Sequence, residues 1–169
     1  MRITGMKHAA AAAALGLAAT PAAAGNWAAL GAGDGHGERV RLLLDETGRS
    51  YIFECAPDAV TVTQTGVTEL VDVRTKTKIG DSPGSTITPA AARMGLFTGD
   101  NAPDLDPATA VANPVKGWDL TLRFAKTDKR VKALAKADVI SLFTTGYTAA
   151  VPLDSADRKT FGDFVARCR

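Results

Sequence analysis

The chain has 169 residues, with 20 lysines and arginines against 18 aspartates and glutamates, and its formal net charge is +2 at pH 7. Arg2 and Lys7 account for the whole excess, so residues 25–169 carry equal numbers of basic and acidic side chains. A balanced domain has no long-range field to attract nucleic acid or an anionic membrane, which disfavours both as partners.

Residues 1–24 predict a cleavable secretion signal. Arg2 and Lys7 precede an apolar run over 9–19, and small residues lead up to Ala24, the expected cleavage site. The run is about half of the ~20 apolar residues that a membrane-spanning helix needs. An alanine-rich membrane anchor or an ordinary helix is the alternative. We therefore expect a periplasmic or secreted protein with no membrane span in its mature chain.

The next elements are short strands separated by turn residues. Strand patterns occur at 40–44 and 50–56, with a turn between them. Residues 60–63 and 67–73 are rich in β-branched side chains and have Gly66 between them, which predicts a hairpin.

Two long polar segments follow in the middle of the chain. Residues 74–90 predict a surface loop with a short strand near 86–88, and 92–98 predict another strand. Residues 99–116 contain several prolines and aspartates and show little periodicity, which predicts a second long loop. Loops of this length in a compact domain are commonly functional, so we expect partner contacts in both.

The last part of the chain predicts strands mixed with two helices. Residues 118–124 alternate cleanly between apolar and polar side chains, as a half-buried strand does. A helix fits 128–137, and strands fit 139–143 and 149–153. Apolar residues at helical spacing predict a final helix over 155–168.

The order of these elements indicates the fold class. Many short strands separated by turns roughly every 8–12 residues are typical of a sandwich or barrel. The helices come late and do not alternate with the strands, which disfavours a parallel α/β sheet. The prediction is a mainly β single domain over 25–169, an antiparallel β-sandwich with one short internal helix and a C-terminal helix packed on it.

Cys55 and Cys168 are the only cysteines in the chain. An even number of cysteines in an exported chain predicts a disulfide, and two buried thiols or an intermolecular bridge are the alternatives. Each cysteine lies on the apolar side of its element, the strand at 50–56 and the final helix. The absence of a Cys-x-x-Cys motif indicates a structural bridge and not a redox site.

The end of the chain carries a family resemblance. A strand ending in Val-Pro-Leu at 151–153 and a helix reaching Phe-Val-Ala-Arg-Cys at 164–168 resemble the C-terminus of small exported β-sandwich proteins of the invasion-associated locus B type. Those proteins also have a cysteine followed within a few residues by glutamine in their first half, which this chain lacks. The resemblance implies export and a β-sandwich, and it assigns no functional residue.

Asp100, Asn101, Asp104 and Asp106 crowd one loop and are the residues that we predict to make loop contacts. Oxygen ligands on a flexible loop suit calcium outside the cell, although the spacing does not match an EF-hand and a solvated turn is the alternative. His36 is the single histidine after residue 24, and the two cysteines are expected to be bridged. No ligand set for zinc or copper remains, and no metal or other cofactor is expected.

Residues 80–84 contain Gly-Asp-Ser, a trio that also occurs in serine hydrolases. A nucleophilic Ser82 needs a base to take its proton, and His36 in its glycine-rich loop is the sole candidate histidine. No Gly-x-Ser-x-Gly motif is present, so a proline-containing turn is the alternative.

A basic segment precedes the strand at 139–143. It consists of Lys126, Lys129, Arg130, Lys132 and Lys136. On a helix, residues 129, 132 and 136 share one side, which could contact an acidic partner or an anionic glycan. The alternative is a solvated helix face.

These observations favour an exported, non-enzymatic binding or accessory module of the cell envelope. The expected partner is another envelope protein or a surface polymer, and the expected contacts lie in the two long loops. The alternative is a small hydrolase that acts on an envelope or extracellular substrate through Ser82 or paired carboxylates.

Overall fold

The structure of the chain is a computed structural model. It describes residues 27–33, 35–43, 49–72, 75–80, 82–87, 92–99, 105–115, 117–144 and 147–169. The predicted secretion signal over 1–24 lies outside the described residues. No helix among the described residues is long and apolar enough to cross a membrane.

The described residues form short strands and two helices. The strands are β1 (Trp27–Ala29), β2 (Arg39–Leu43), β3 (Ser50–Cys55), β4 (Ala59–Val67), β5 (Leu70–Val71), β6 (Lys78–Ile79), β7 (Thr86–Ile87), β8 (Arg93–Phe97), β9 (Asp106–Pro107), β10 (Thr109–Ala112), β11 (Trp118–Ala125), β12 (Val139–Thr144) and β13 (Tyr147–Pro152). The helices are α1 (Lys129–Leu134), between β11 and β12, and α2 (Ser155–Arg167), at the C-terminus.

The strands pair into antiparallel sheets. The large sheet has the order β1-β2-β3-β4-β11-β10-β7, a second sheet has the order β13-β12-β8-β9, and β5 pairs with β6 alone. Both larger sheets contribute side chains to one hydrophobic core, the first through residues such as Phe53 and Leu120 and the second through Leu96 and Ile140. The predicted mainly β, antiparallel fold with one internal and one C-terminal helix is therefore confirmed.

Alternating side chains explain how β11, an interior strand of the large sheet, packs on the core. Trp118, Leu120, Leu122 and Phe124 are buried, and the residues between them are more exposed. Period-two alternation places every second side chain on one face, so this strand turns all four large apolar groups towards the core. The prediction for 118–124 is confirmed.

The predicted hairpin around Gly66 is wrong, because β4 runs through that position as one strand. Gly66 has φ +69°, and the register with β11 shifts here between Trp118 and Leu120. The Asp119 carboxylate accepts a hydrogen bond from the Gly66 N–H at 3.0 Å. Glycine therefore makes a β-bulge inside the strand and not a turn at its end.

The predicted long loop at 99–116 is also wrong over its second half, where β9 and β10 form. On β10, Ala110 and Ala112 are buried while Thr109 and Val111 are exposed. The strand alternation is present in the sequence, but alanine has a weak strand preference and conceals it. The short strand predicted near 86–88 is confirmed as β7, which pairs with β10.

Helix α2 begins with a capping box. The Asp154 side chain accepts a hydrogen bond from the Asp157 N–H at 2.8 Å, and the Asp157 side chain accepts in return from the Asp154 N–H. Asp157 is buried and also accepts from the backbone N–H of Trp27 at 3.1 Å. One carboxylate therefore completes the N-terminal cap of α2 and ties this helix to the edge strand β1.

The body and the end of α2 are fixed to β3. Phe161 packs edge-to-face on Phe53 with ring centroids 5.2 Å apart, and the ring centroid of Phe164 lies 6.4 Å from that of Phe53. At the C-terminal end, Cys168 forms a disulfide with Cys55, which confirms the predicted pairing. The bridge spans 113 residues of sequence and attaches the last helix to an early strand.

We expect the double variant Cys55→Ala, Cys168→Ala to unfold at clearly lower urea concentration than the oxidised protein. A bridge across 113 residues restricts the unfolded chain strongly, and loop-closure entropy gives about 4–5 kcal/mol as the upper figure. Urea unfolding followed by circular dichroism measures the difference. Equal midpoints would contradict a stabilising role of the bridge.

We expect Gly117→Ala to destabilise the fold more than Gly84→Ala. Both glycines have positive φ, +73° and +78°, so alanine is strained by about 1–2 kcal/mol at either position. At Gly117 an added Cβ would also collide with the Val67 carbonyl group, whereas at Gly84 it would meet open space. Thermal unfolding of both variants checks this, and equal losses would contradict the close approach of Gly117 to β4.

Candidate functional site

A groove of about 810 Å³ opens where α1 approaches the C-terminal end of α2. We call it the basic groove. Its lining residues come from α1, the segments on either side of it, and the last turn of α2. They are Lys126, Thr127, Lys129, Val131, Lys132, Ala133, Ala135, Lys136, Val165, Cys168 and Arg169.

Part of the lining of the basic groove is apolar. Val131 is buried, and Val165 is partly buried and packs against the hydrophobic core. Ala133 and Ala135 are partly buried, and the bridged Cys168 is buried. Lysine side chains add their hydrocarbon stems to such a surface while their ammonium groups stay in water. The groove therefore offers a ligand both apolar contact and positive charge.

The charged side chains that line the basic groove all have one sign. Its described lining contains five basic residues, namely Lys126, Lys129, Lys132, Lys136 and Arg169, and no acidic one. None of the five forms an ion pair with an acidic residue in the described part of the chain. The local field in the groove is positive although the whole chain is almost neutral.

Arg130 differs from its lysine neighbours because it lies outside the groove lining. Its guanidinium pairs with Asp106 on β9 and with Asp128, 3.0 Å away, and it stacks over the Phe124 ring at 4.3 Å. Hydrogen bonds from Arg130 hold the pKa of the Asp128 carboxyl below its usual range, against the opposing effect of burial. Arg130 thereby anchors the start of α1 to β9 and β11.

The helix cap adds to this anchor. Asp128 is the N-cap of α1, and its side chain accepts a hydrogen bond from the Arg130 N–H at 2.8 Å. Val131 and Leu134 are buried on the side of α1 that faces the core. The lysines of α1 are exposed as a consequence of this orientation.

The predicted loop-contact residues are placed only in part. Asp100, Asn101 and Asp104 lie outside the described residues, and Asp106 lies in β9 and not in a loop. Asp106 is engaged by Arg130. Within the described ranges, no group of three or more histidine, cysteine or acidic side chains is placed to hold a metal ion.

Ser82 and His36 are not brought together. His36 Nδ1 lies 3.1 Å from Glu54 Oε1, near the end of β3 that carries the bridged cysteine. Ser82 belongs to a turn that hydrogen-bonds the Ala112 end of β10 through Gly84. Strands β4 and β11 lie between β3 and β10.

The strand registers separate these two positions along the sheet as well. On the His36 side, Val60 of β4 pairs with Cys55 of β3. On the Ser82 side, Val67 of β4 pairs with Trp118 of β11, which in turn pairs with Ala112 of β10. Seven residues of strand amount to roughly 20 Å. The described residues therefore hold no Ser82–His36 arrangement for nucleophilic catalysis.

The sequence anticipated one side of the basic groove and not the other. The spacing of Lys129, Lys132 and Lys136 predicted a shared helix side, and all three line the groove. Val165 of α2 and Arg169, just after that helix, come about thirty residues later, and only the tertiary contact between the helices adds them. Arg130 was grouped with the lysines, but its two acidic neighbours draw it away from the groove.

We expect Arg130→Gln to lower the free energy of unfolding by about 1–2 kcal/mol near neutral pH, because it removes charge-assisted hydrogen bonds that are partly shielded from solvent. The depressed pKa of Asp128 contributes stability above its ordinary value of 3.8, and this contribution is lost as the pH falls further. The difference between wild type and variant should therefore shrink below about pH 4.

Urea titrations between pH 7 and pH 3 measure this effect. Arg123→Gln is the matched control, because Arg123 pairs with Asp58 on an exposed surface where such pairs contribute little. A pH-independent loss in Arg130→Gln, or an equal loss in the control, would contradict the anchoring role.

Comparison with known proteins gives no relative for this chain. No protein-family model matches the sequence, and no curated protein or solved structure is significantly similar to it.

Proposed function

We propose that this protein is an exported, non-enzymatic binding module that holds an anionic ligand in the basic groove. The observation that carries the proposal is the lining of the groove, in which five cationic side chains and no acidic one surround an apolar surface. Positive groups that form no ion pair with the described acidic residues are available to an anion from outside.

The surroundings of the groove strengthen this attraction. Charges attract each other more strongly beside low-dielectric protein than in open water, and Val131 and Cys168 provide such a surface. The exposed ammonium groups retain their hydration until a ligand arrives, so the empty site stays charged with little desolvation free energy. Salt weakens an interaction of this kind, because the Debye length is only about 8 Å at physiological ionic strength.

The location of the protein is part of the proposal. The secretion signal expected at 1–24 and the Cys55–Cys168 bridge support a working place outside the cytoplasm, because disulfides persist in oxidising compartments. An envelope protein or a surface polymer is the partner class that the sequence predicts, and the groove has room for one small anionic group from the envelope. The groove adds the chemistry of the contact, since the group that enters it is negatively charged.

The proposal predicts a site-specific loss of anion binding. Anilinonaphthalene sulfonate, an anionic aromatic probe, should bind the wild-type protein and fluoresce. The double variant Lys132→Gln, Lys136→Gln should bind it about tenfold more weakly, because each exposed charge contributes at most about 1 kcal/mol. Fluorescence titration at low and at physiological salt measures the affinity.

The matched control is the double variant Lys78→Gln, Lys159→Gln. It removes the same charge at two exposed lysines that pair with Glu69 and Asp163, away from the groove lining. The proposal requires near-wild-type affinity in this control. Equal affinities in both double variants would show that the probe binds elsewhere and would overturn the proposal.

A further inference from the structure

We propose that the ligand of the basic groove is a single long-chain carboxylate, whose hydrocarbon chain lies on the apolar lining and whose carboxylate binds Lys132 and Lys136. This inference rests on the proposed function and adds the chemical class of the ligand. Its arguments are the size of the groove, the apolar part of its lining and the arrangement of its charges.

The size of the groove fits a small molecule. Its volume of about 810 Å³ falls within the roughly 300–1,000 Å³ typical of small-ligand sites. Its eleven lining residues are fewer than the roughly 20–30 that each side contributes to a standard protein–protein interface. One compact ligand therefore fills the groove, and a folded partner would extend beyond it.

The apolar lining requires a ligand with a hydrocarbon part. Val131 of α1, Val165 of α2 and Ala135, the C-cap of α1, are apolar residues of the groove lining. A purely polar anion would leave this surface in contact with water and would gain nothing from it. A hydrocarbon chain removes it from water, and each fully buried methylene strengthens binding by up to about fourfold.

The charges are arranged along the apolar surface and at its rim. Lys132 lies in the last turn of α1, and Lys136 follows four residues later, just beyond the end of the helix, so both line the groove near the C-terminal end of α1. Lys129 begins α1, roughly 5 Å before Lys132 along the helix axis. A chain that follows α1 therefore keeps its head at the paired lysines while its stem packs against lysine stems and the valines.

The test is a titration with carboxylates of increasing chain length. Hexanoate, octanoate and dodecanoate are added below their micellar concentrations to the full oxidised chain, and two-dimensional amide NMR spectra are recorded. We expect shifts centred on α1 and the last turn of α2. We also expect dodecanoate to bind at least tenfold more tightly than hexanoate.

Variants separate the two ends of the ligand. Lys132→Gln, Lys136→Gln should weaken dodecanoate binding about tenfold, and Val165→Ser should reduce the gain in affinity with chain length. Val115→Ser is the control for the apolar contact, because Val115 is 92% exposed and does not line the groove. The same amide spectra show whether each variant is folded.

The results of these titrations distinguish the long-chain carboxylate from the proposed function itself. Chain-length-dependent shifts in the groove support the inference. Variant-sensitive binding of anilinonaphthalene sulfonate without chain-length dependence among the carboxylates would overturn this inference and leave the proposed function standing. No groove binding of either the sulfonate probe or the carboxylates would overturn both.

Discussion

The attachment of α2 to the first half of the chain is the constraint on which the rest of the structure depends. Asp157 holds the start of the helix to Trp27, and the Cys55–Cys168 bridge holds its end to β3. Phe161, packed on the core aromatics between these points, supplies the hydrophobic contact. Because both ends are fixed, Val165 and the bridged Cys168 have one defined position, which forms one wall of the basic groove.

The opposite wall depends on a division of roles among neighbouring basic residues. Arg130 forms the ion pairs with Asp106 and Asp128, and the nearby Lys129 adds a weaker electrostatic attraction to Asp128. A planar guanidinium suits this task because it binds carboxylates through several donors and stacks on a ring, which an ammonium group does less well. The lysines of the groove form no ion pair with the described acidic residues, and the helix stays attached to β9 and β11 through Arg130.

Local patterns determine how much of this could be predicted from the sequence. The alternation at 118–124 and the helical spacing before Cys168 are strong, and the corresponding elements form as predicted. Gly66 was misassigned because a positive-φ glycine serves a bulge as readily as a turn. The alanines of β10 were missed because their burial comes from neighbouring strands and not from their own hydrophobicity. The groove is formed between two helices that are distant in sequence, and no local sequence pattern predicts their contact.

The most direct measurement of the central claim is a filtered nuclear Overhauser experiment on dodecanoate bound to the oxidised protein. We expect contacts from the chain methylenes to the methyl groups of Val165 and Ala135, which line the groove. We also expect no contacts to Leu43 or Val115, which are 52% and 92% exposed and lie outside the lining. Contacts concentrated on those exposed side chains would contradict binding in the basic groove, because dodecanoate would then bind exposed apolar side chains wherever they occur.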